Sequence, residues 1–309
     1  MWLHLISAVL FIIIAVIAAK LYVKLTTGWC YSNVCLIGKT VIITGANSGL
    51  GYEAALDFAK RGARVILACR NAERGLNAQL KKMLDVASLK SVREFANDIN
   101  KTESRLDILL NNAGGLYLEP KMTEDNLLLM MATNHFGPFL LTNLLLDLMK
   151  KTSNARIVNV SSVAATLFRP KLYVTSTKLF NETIGQGSDW EIYARTKLCN
   201  ILFTIELAKR LKGTSVTTYA LHPGIIVNDV FRNTPFYMLI PLKYVARWIL
   251  KDSLEGAQTS IYCSIAQGIE PLSGGLFEDC SRIAPYVTTQ IPGLSERLWE
   301  ISEELVKLG

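Results

Sequence analysis

A phenol and an ammonium four residues apart could run acid–base chemistry if the fold supplied the right surroundings. Tyr193 and Lys197 stand in Tyr193-Ala194-Arg195-Thr196-Lys197, at the start of a strongly helical segment, so both project from one helix face. A phenol titrates at about 10 and is a poor base at neutral pH. An ammonium within about 4–6 Å favours the phenolate and makes the group a usable acid–base. Ser161 and Ser162 follow the apolar run Val158-Asn159-Val160. A hydroxyl at such a strand end can hydrogen-bond an oxygen on which charge develops. In an arbitrary sequence the Tyr–Lys pair would be a solvated surface pair and the serines would be caps. The surroundings have to decide.

The first of these surroundings is Thr44-Gly45-Ala46-Asn47-Ser48-Gly49-Leu50-Gly51, which follows an apolar β-branched run and opens a helical segment. In that context Gly45 permits a tight turn, Gly49 lets backbone approach a pyrophosphate and Gly51 allows close helix–strand packing. Asn47, Ser48 and Leu50 share the turn. The helix beginning there presents free N–H groups and a partial positive charge to phosphates. At the end of the second run, in Ala68-Cys69-Arg70-Asn71, a carboxylate would bind a ribose 2′-hydroxyl. Arg70 would instead pair with a 2′-phosphate, so NADP(H) is expected over NAD(H). A cationic nicotinamide beside Tyr193 would favour the phenolate further.

The elements that must position these groups alternate. Apolar runs at Thr40–Thr44, Arg64–Ala68, Ile108–Asn111, Arg156–Val160, Val216–Leu221 and Gly275–Phe277 are separated by amphipathic segments at Tyr52–Arg61, Leu89–Lys101, Asn126–Lys150 and Tyr193–Leu211. This is the pattern of an α/β, Rossmann-like, doubly wound parallel sheet with helices on both faces. The simplest partition is a membrane anchor at 1–25, a linker at 26–37 and one dinucleotide-binding catalytic domain at 38–309. The net charge of +7 is scattered, with 33 basic against 26 acidic residues and no basic stripe, so nucleic acid is not an expected partner. Six cysteines without a C-x-x-C pair read as reduced thiols packed in a core facing the cytosol. His135 and His222 fit no ligand spacing, and no metal is expected.

From Trp2 to Ala19 only His4 and Ser7 interrupt an apolar run close to the roughly 20 residues that a bilayer span needs, and Lys20 and Lys24 can snorkel from its end. A cleaved signal peptide would carry a charged region before that run, which this sequence lacks. The lysines follow the span, which places the catalytic domain in the cytosol.

Together these residues resemble the short-chain dehydrogenase/reductase family, in its membrane-anchored retinol dehydrogenase branch, over nearly everything after residue 36. The resemblance rests on the glycine turn, Asn111-Asn112-Ala113-Gly114, Asn134, Val158-Asn159-Val160-Ser161-Ser162, Tyr193 through Lys197, and His222-Pro223-Gly224. It implies catalytic roles for Asn134, Ser162 (the second serine of its pair), Tyr193 and Lys197. Asn134 would hold a water linking Lys197 to solvent, and Lys197 would also bind the nicotinamide ribose. It further implies cofactor contacts by Asn112, Ala113, Gly114, Pro223, Gly224 and Ile226, with Asp85 and Val86 at the adenine. The branch implies retinal reduction or retinol oxidation at a membrane, that of the endoplasmic reticulum, and room for a homo-oligomer.

The apolar stretch from Ile225 to Ile249, with Phe231, Phe236, Tyr237 and Trp248, reads as a lid over a lipophilic substrate entering from the bilayer. Sterols and lipid aldehydes fit the same physics, and NADPH would favour reduction. Asn228 departs from the Ser or Thr usual in the branch. Only 14 residues (71–84) separate Arg70 from Asp85, where a crossover helix, an edge strand and two connections need about 25. A shortened third strand near Gln79–Leu84 is the expectation. A non-catalytic, nucleotide-binding membrane scaffold is the competing reading.

Overall fold

Runs of Val, Ile and Leu that are apolar at every position can only be strands covered on both faces, and they form one sheet here. A computed structural model describes residues 2–70, 80–167, 171–226 and 250–308, without the side chains at 3, 5, 8, 9, 12 and 80. The strands are β1 (Thr40–Thr44), β2 (Arg64–Cys69), β3 (Leu80–Met83), β4 (Ile108–Asn111), β5 (Arg156–Val160), β6 (Thr217–His222), β7 (Leu276–Glu278) and β8 (Ser281–Ile283). Their order is β3-β2-β1-β4-β5-β6-β7-β8. All neighbours are parallel except β7 and β8. β1, β4 and β5 are buried at every position.

The helices are α1 (Trp2–Thr26), α2 (Gly49–Lys60), α3 (Leu89–Thr102), α4 (Leu129–Met131), α5 (Gly137–Lys151), α6 (Ala164–Leu167), α7 (Thr177–Ile184), α8 (Asp189–Arg210), α9 (Ser253–Ile265) and α10 (Leu294–Val306). One face of the sheet is packed by α2 and α9 through Ala54, Phe58, Ala257 and Ile261. The other is packed by α3, α5, α8 and α10 through Phe95, Phe139, Leu202 and Trp299. Phe58 and Phe139 are fully buried, each contributing about 2 kcal/mol of apolar transfer. This is a Rossmann-like α/β architecture.

The segment 126–150, expected as one helix, is split. A π-helical turn, Ala132–Phe136, separates α4 from α5. Pro138 has no N–H to return to the Asn134 carbonyl four residues earlier, so α-helical bonding cannot run through this point.

The shortened third strand forms at Leu80–Met83, where Leu80 to Met83 pair with Ile66 to Cys69. Lys82 reaches α3 and pairs with Asp98 at 2.5 Å. The segment before this strand (71–79) and, apart from Ile225 and Ile226, the expected lid with Asn228 (227–249) lie outside the described residues.

At the N-terminus α1 forms and exposes Trp2, Ile6, Leu10, Phe11, Ile14 and Ile17. The expected N-terminal transmembrane helix is not found as a span: among the described residues no helix is long and apolar enough to cross a membrane. The expected linker proves to be docked rather than free. Gly28 N–H donates to Asp279 Oδ1 at 3.0 Å and Cys30 N–H to Gln258 Oε1 at 3.2 Å. The Arg61 guanidinium donates to the Ser32 and Val34 carbonyls. All six cysteines are free thiols, but only Cys69, Cys199 and Cys263 are core residues; Cys35 is exposed and Cys30 and Cys280 are half-buried.

Gly137 sets how closely α5 approaches the loop after β3, because a Cβ there would lie 1.9 Å from the Val86 carbonyl oxygen. Gly137→Ala should therefore destabilise the fold by about 3 kcal/mol, as forced overpacking against backbone does. Urea unfolding measures this, and an unchanged midpoint would mean that the two segments can part at no cost.

Candidate active site

The strand order reverses between β1 and β4, and a sheet of this kind opens a crevice at the C-terminal ends of the strands on either side of that point. A cleft of about 510 Å³ lies there. Its two strand ends are stitched together by Thr44, whose Oγ1 accepts the N–H groups of Asn112 at 3.0 Å and Ala113 at 2.9 Å. The Asn112 side-chain amide donates in return to the Thr44 carbonyl at 2.9 Å.

That stitch brings backbone so close that side chains are excluded. Gly45 has φ +66°, and a Cβ on it would lie 3.0 Å from Ala113 Cα. A Cβ on Gly51 would lie 2.5 Å from Asn112 Nδ2.

Most of the expected site residues line this one cleft. Gly45, Asn47, Ser48, Gly49 and Leu50 form one wall around the start of α2, where Ser48 is the N-cap residue and makes no side-chain cap bond. Arg70, Asp85 and Val86 line the end beside β2 and β3. Arg70 is exposed and makes no ion pair among the described residues. One oxygen of Asp85 accepts the Ala87 N–H at 2.9 Å. Asn112, Ala113 and Gly114 form the floor, Ser162, Tyr193 and Lys197 the middle, and Pro223, Gly224 and Ile226 the far rim.

Gly51 and Asn134 do not line the cleft. Gly51 acts through packing, as expected of it. Asn134 is fully buried, and its side chain accepts from Gly115 N–H at 2.8 Å and donates to the Gly115 carbonyl and Thr196 Oγ1, both at 3.0 Å. Both N–H donors of its amide are thus spent on shaping the floor. A Cβ on Gly114 would lie 3.1 Å from both Asn134 Oδ1 and Lys197 Nζ, so the three converge.

The two serines separate by geometry. Ser161 Oγ donates to the Lys197 carbonyl at 2.7 Å and is buried against α8. Ser162 lines the cleft with Tyr193, and its Oγ accepts the Ala164 N–H at 3.2 Å. Lys197 Nζ donates to the Val160 carbonyl at 3.1 Å and lies 5.5 Å from the centroid of the Tyr193 ring.

Burial pushes the Tyr193 phenol up to about 12, against a smaller downward pull from the nearby Ser162 hydroxyl. It pushes Lys197 down to about 8. At neutral pH the Tyr193 phenol therefore holds its proton.

Sequence reasoning missed Thr44, although it stands at a strand end directly before the glycine turn. It also missed Thr196, which accepts from Asn134 and donates to the Tyr193 carbonyl at 2.7 Å. Apolar walls extend the cleft past Tyr193 through Leu116, Leu118, Leu167, Trp190 and Ile225. The Trp190 ring meets Tyr193 edge-on at 6.4 Å. His135 and His222 are buried and pushed down to about 4 by desolvation, hence neutral. Among the described residues no cluster of three or more His, Cys, Asp or Glu could hold a metal ion.

A cation buried like Lys197 costs stability. The folded lysine loses its proton near 8 and the unfolded one near 10.5, so the penalty is full below about 8 and fades towards 10.5. Lys197→Met should stabilise the fold at pH 7 by on the order of 3 kcal/mol, with the gain shrinking as pH rises through that window. The Val160 carbonyl would keep its bond from Asn200. Urea titrations at pH 7 and 10 test this, and a less stable variant at pH 7 would show that the ammonium is well solvated.

The model of the short chain dehydrogenase family matches residues 39–180. Retinol dehydrogenase 12 of Bos taurus is 41% identical over 304 residues, covering 94% of this chain and 93% of that protein. Retinol dehydrogenase 11 of Mus musculus is 38% identical, covering 96% and 95%. Among solved structures, a putative uncharacterized protein from Mycobacterium paratuberculosis superposes with a TM-score of 0.70 at 29% identity, covering 91% of this chain and 98% of that one.

Proposed function

The chain belongs to the short-chain dehydrogenase/reductase family, in its retinol dehydrogenase-like branch, and on that premise we propose that it is an NADP(H)-dependent oxidoreductase interconverting a lipophilic, retinal-like aldehyde and its alcohol. The observation that carries this reading is that Ser162, Tyr193 and Lys197, the last with its Nζ 5.5 Å from the Tyr193 ring, line the same cleft as the glycine turn.

The residues present fit a nicotinamide dinucleotide. Gly45 and Gly51 leave no space for side chains where backbone must come close, and the N-terminus of α2 faces the cleft. Arg70 lies exposed at the end where a 2′-phosphate would sit, and it supports NADP(H) over NAD(H). The nucleotide supplies the hydride in reduction and accepts it in oxidation.

The protein's part is proton handling and orientation. Tyr193, protonated at neutral pH, donates to the substrate oxygen as negative charge grows there. Ser162 hydrogen-bonds the same oxygen and holds it against the phenol. Lys197 carries positive charge beside the phenol ring below about pH 8, easing loss of the phenolic proton and its recovery. Leu116, Leu118, Leu167 and Trp190 exclude water from the far half of the cleft and suit an apolar substrate chain.

The exposed apolar faces of α1, from Trp2 to Ile17, support a membrane anchor that brings the cleft to substrate dissolved in lipid. The endoplasmic reticulum, with residues 38–309 on the cytosolic side, is the compartment this topology suits.

Purified protein should oxidise NADPH with retinal at least about tenfold faster than it oxidises NADH at equal concentration, the discrimination a matched arginine–phosphate contact supplies. Arg70→Ala should erase that preference, and equal rates in the parent would remove the argument from Arg70. Tyr193→Phe should abolish turnover while NADPH binding, followed by fluorescence, persists. Retained turnover would refute the assignment of Tyr193. No turnover on retinoids, sterols or medium-chain aldehydes would favour a scaffold.

A further inference from the structure

The rim of the cleft from Pro223 to Ile226 follows β6 and runs into 227–249, so its support comes from elsewhere. Ile226 pairs in parallel with Lys251, whose N–H donates to the Ile225 carbonyl at 3.3 Å. Lys251 also reaches back beneath the loop. Gly224 has φ +90°, and a Cβ on it would fall 2.6 Å from Lys251 Cδ and 2.8 Å from Nζ. The lysine side chain is only 10% exposed, and its ammonium pairs with Asp279.

The same carboxylate holds the N-terminal segment. Asp279 Oδ1 accepts the Gly28 N–H at 3.0 Å, and a Cβ on Gly28 would lie 1.9 Å from the Asp279 carbonyl oxygen. Gly28 stands two residues past the end of α1. A second tie runs beside the first: Lys20 of α1 donates to the Leu250 carbonyl at 2.9 Å and faces Glu255 at 3.8 Å.

We propose that Lys251 is a positioning residue for the nucleotide site, bracing the Pro223–Ile226 rim from below, and that Asp279 couples this brace to the seating of the N-terminal segment at Gly28. This rests on the reading of the cleft as a nicotinamide dinucleotide site. An exposed ion pair would carry little weight. This one is largely buried on the lysine side, and the loop above it has a glycine where a side chain could otherwise have filled the space. Without the brace the rim samples open conformations, and the nucleotide must order it on binding. Affinity falls with the fraction of closed rim, while Tyr193 and Lys197, held on α8, keep their geometry.

The test uses full-length protein and compares the parent with Lys251→Met, Lys251→Arg, Gly28→Ala and the Lys251→Met/Gly28→Ala double variant. NADPH affinity is read by fluorescence. Hydrogen exchange at the amides of 224–226 is read in nucleotide-free protein, and KM and kcat are separated where turnover is measurable. Lys251→Met should weaken NADPH about tenfold, as a rim closed one tenth of the time would. It should speed exchange at 224–226 and leave kcat within about twofold, since only the competent fraction changes. Lys251→Arg should restore affinity, because a guanidinium also pairs with Asp279.

Gly28→Ala, remote from the cleft, should weaken NADPH in the same way, and the double variant should be no worse than the poorer single. Asp279→Asn, which keeps an acceptor for Gly28 but loses the charge, serves if Lys251→Met fails to fold, and it should also weaken NADPH. A parent that binds neither NADPH nor NADH removes the nucleotide reading and this inference with it. A parent that binds, beside variants of unchanged affinity and exchange, overturns the inference alone. Additive effects of the two single changes would break the coupling to Gly28.

Discussion

The cleft depends on how α8 is rotated against β5, and two reciprocal hydrogen bonds set that rotation. Ser161 Oγ donates to the Lys197 carbonyl, and Lys197 Nζ donates to the Val160 carbonyl. A helix can roll on a sheet with little change in apolar burial, so packing alone leaves its azimuth loosely specified. The stitch fixes it. With Lys197 facing the sheet edge, Tyr193, one turn earlier, must face Ser162. The second layer of support, Asn134 to Gly115 and Thr196, then holds the floor under both.

This placement has an energetic cost that the fold accepts. A phenol and an ammonium are both taken from water, and each responds by moving towards its neutral form. A core built only for stability would put an apolar side chain such as Met at 197. The retained lysine marks this part of the interior as chosen for chemistry, and the stability that it forgoes is supplied by the two large apolar layers on either side of the sheet.

Much of this was legible in the sequence because short-range pattern determined it. Apolar runs located β1, β2, β4, β5 and β6 within about a residue or two, the usual looseness of element ends. The glycine turn revealed itself by its strand-to-helix context. The family resemblance then ordered Asn112, Ser162, Tyr193 and Pro223 around it. What escaped was set by contacts distant in sequence. The Thr44 stitch joins residues 68 apart, and the approach of Gly137 to Val86 joins segments with no shared pattern. The burial that raises the Tyr193 phenol depends on the whole fold, whereas the Tyr–Lys spacing is local. The π turn at Ala132–Phe136 was signalled by Pro138, yet the amphipathic pattern runs on across it. The docking of the segment after α1 rests on main-chain groups, which composition does not reveal.

The short third strand has a consequence for how copies of this chain can meet. β3 is four residues long and carries Lys81 and Lys82 side by side, and at the opposite end of the sheet β8 is three residues long and antiparallel. Unpaired main-chain groups along a sheet edge invite a neighbouring strand, and short edges guarded by lysine discourage it. Both open margins of this sheet are therefore poor templates for edge-to-edge pairing. Edge-to-edge pairing is thus discouraged at both ends, and the described helical faces are the more open route by which a second copy could approach.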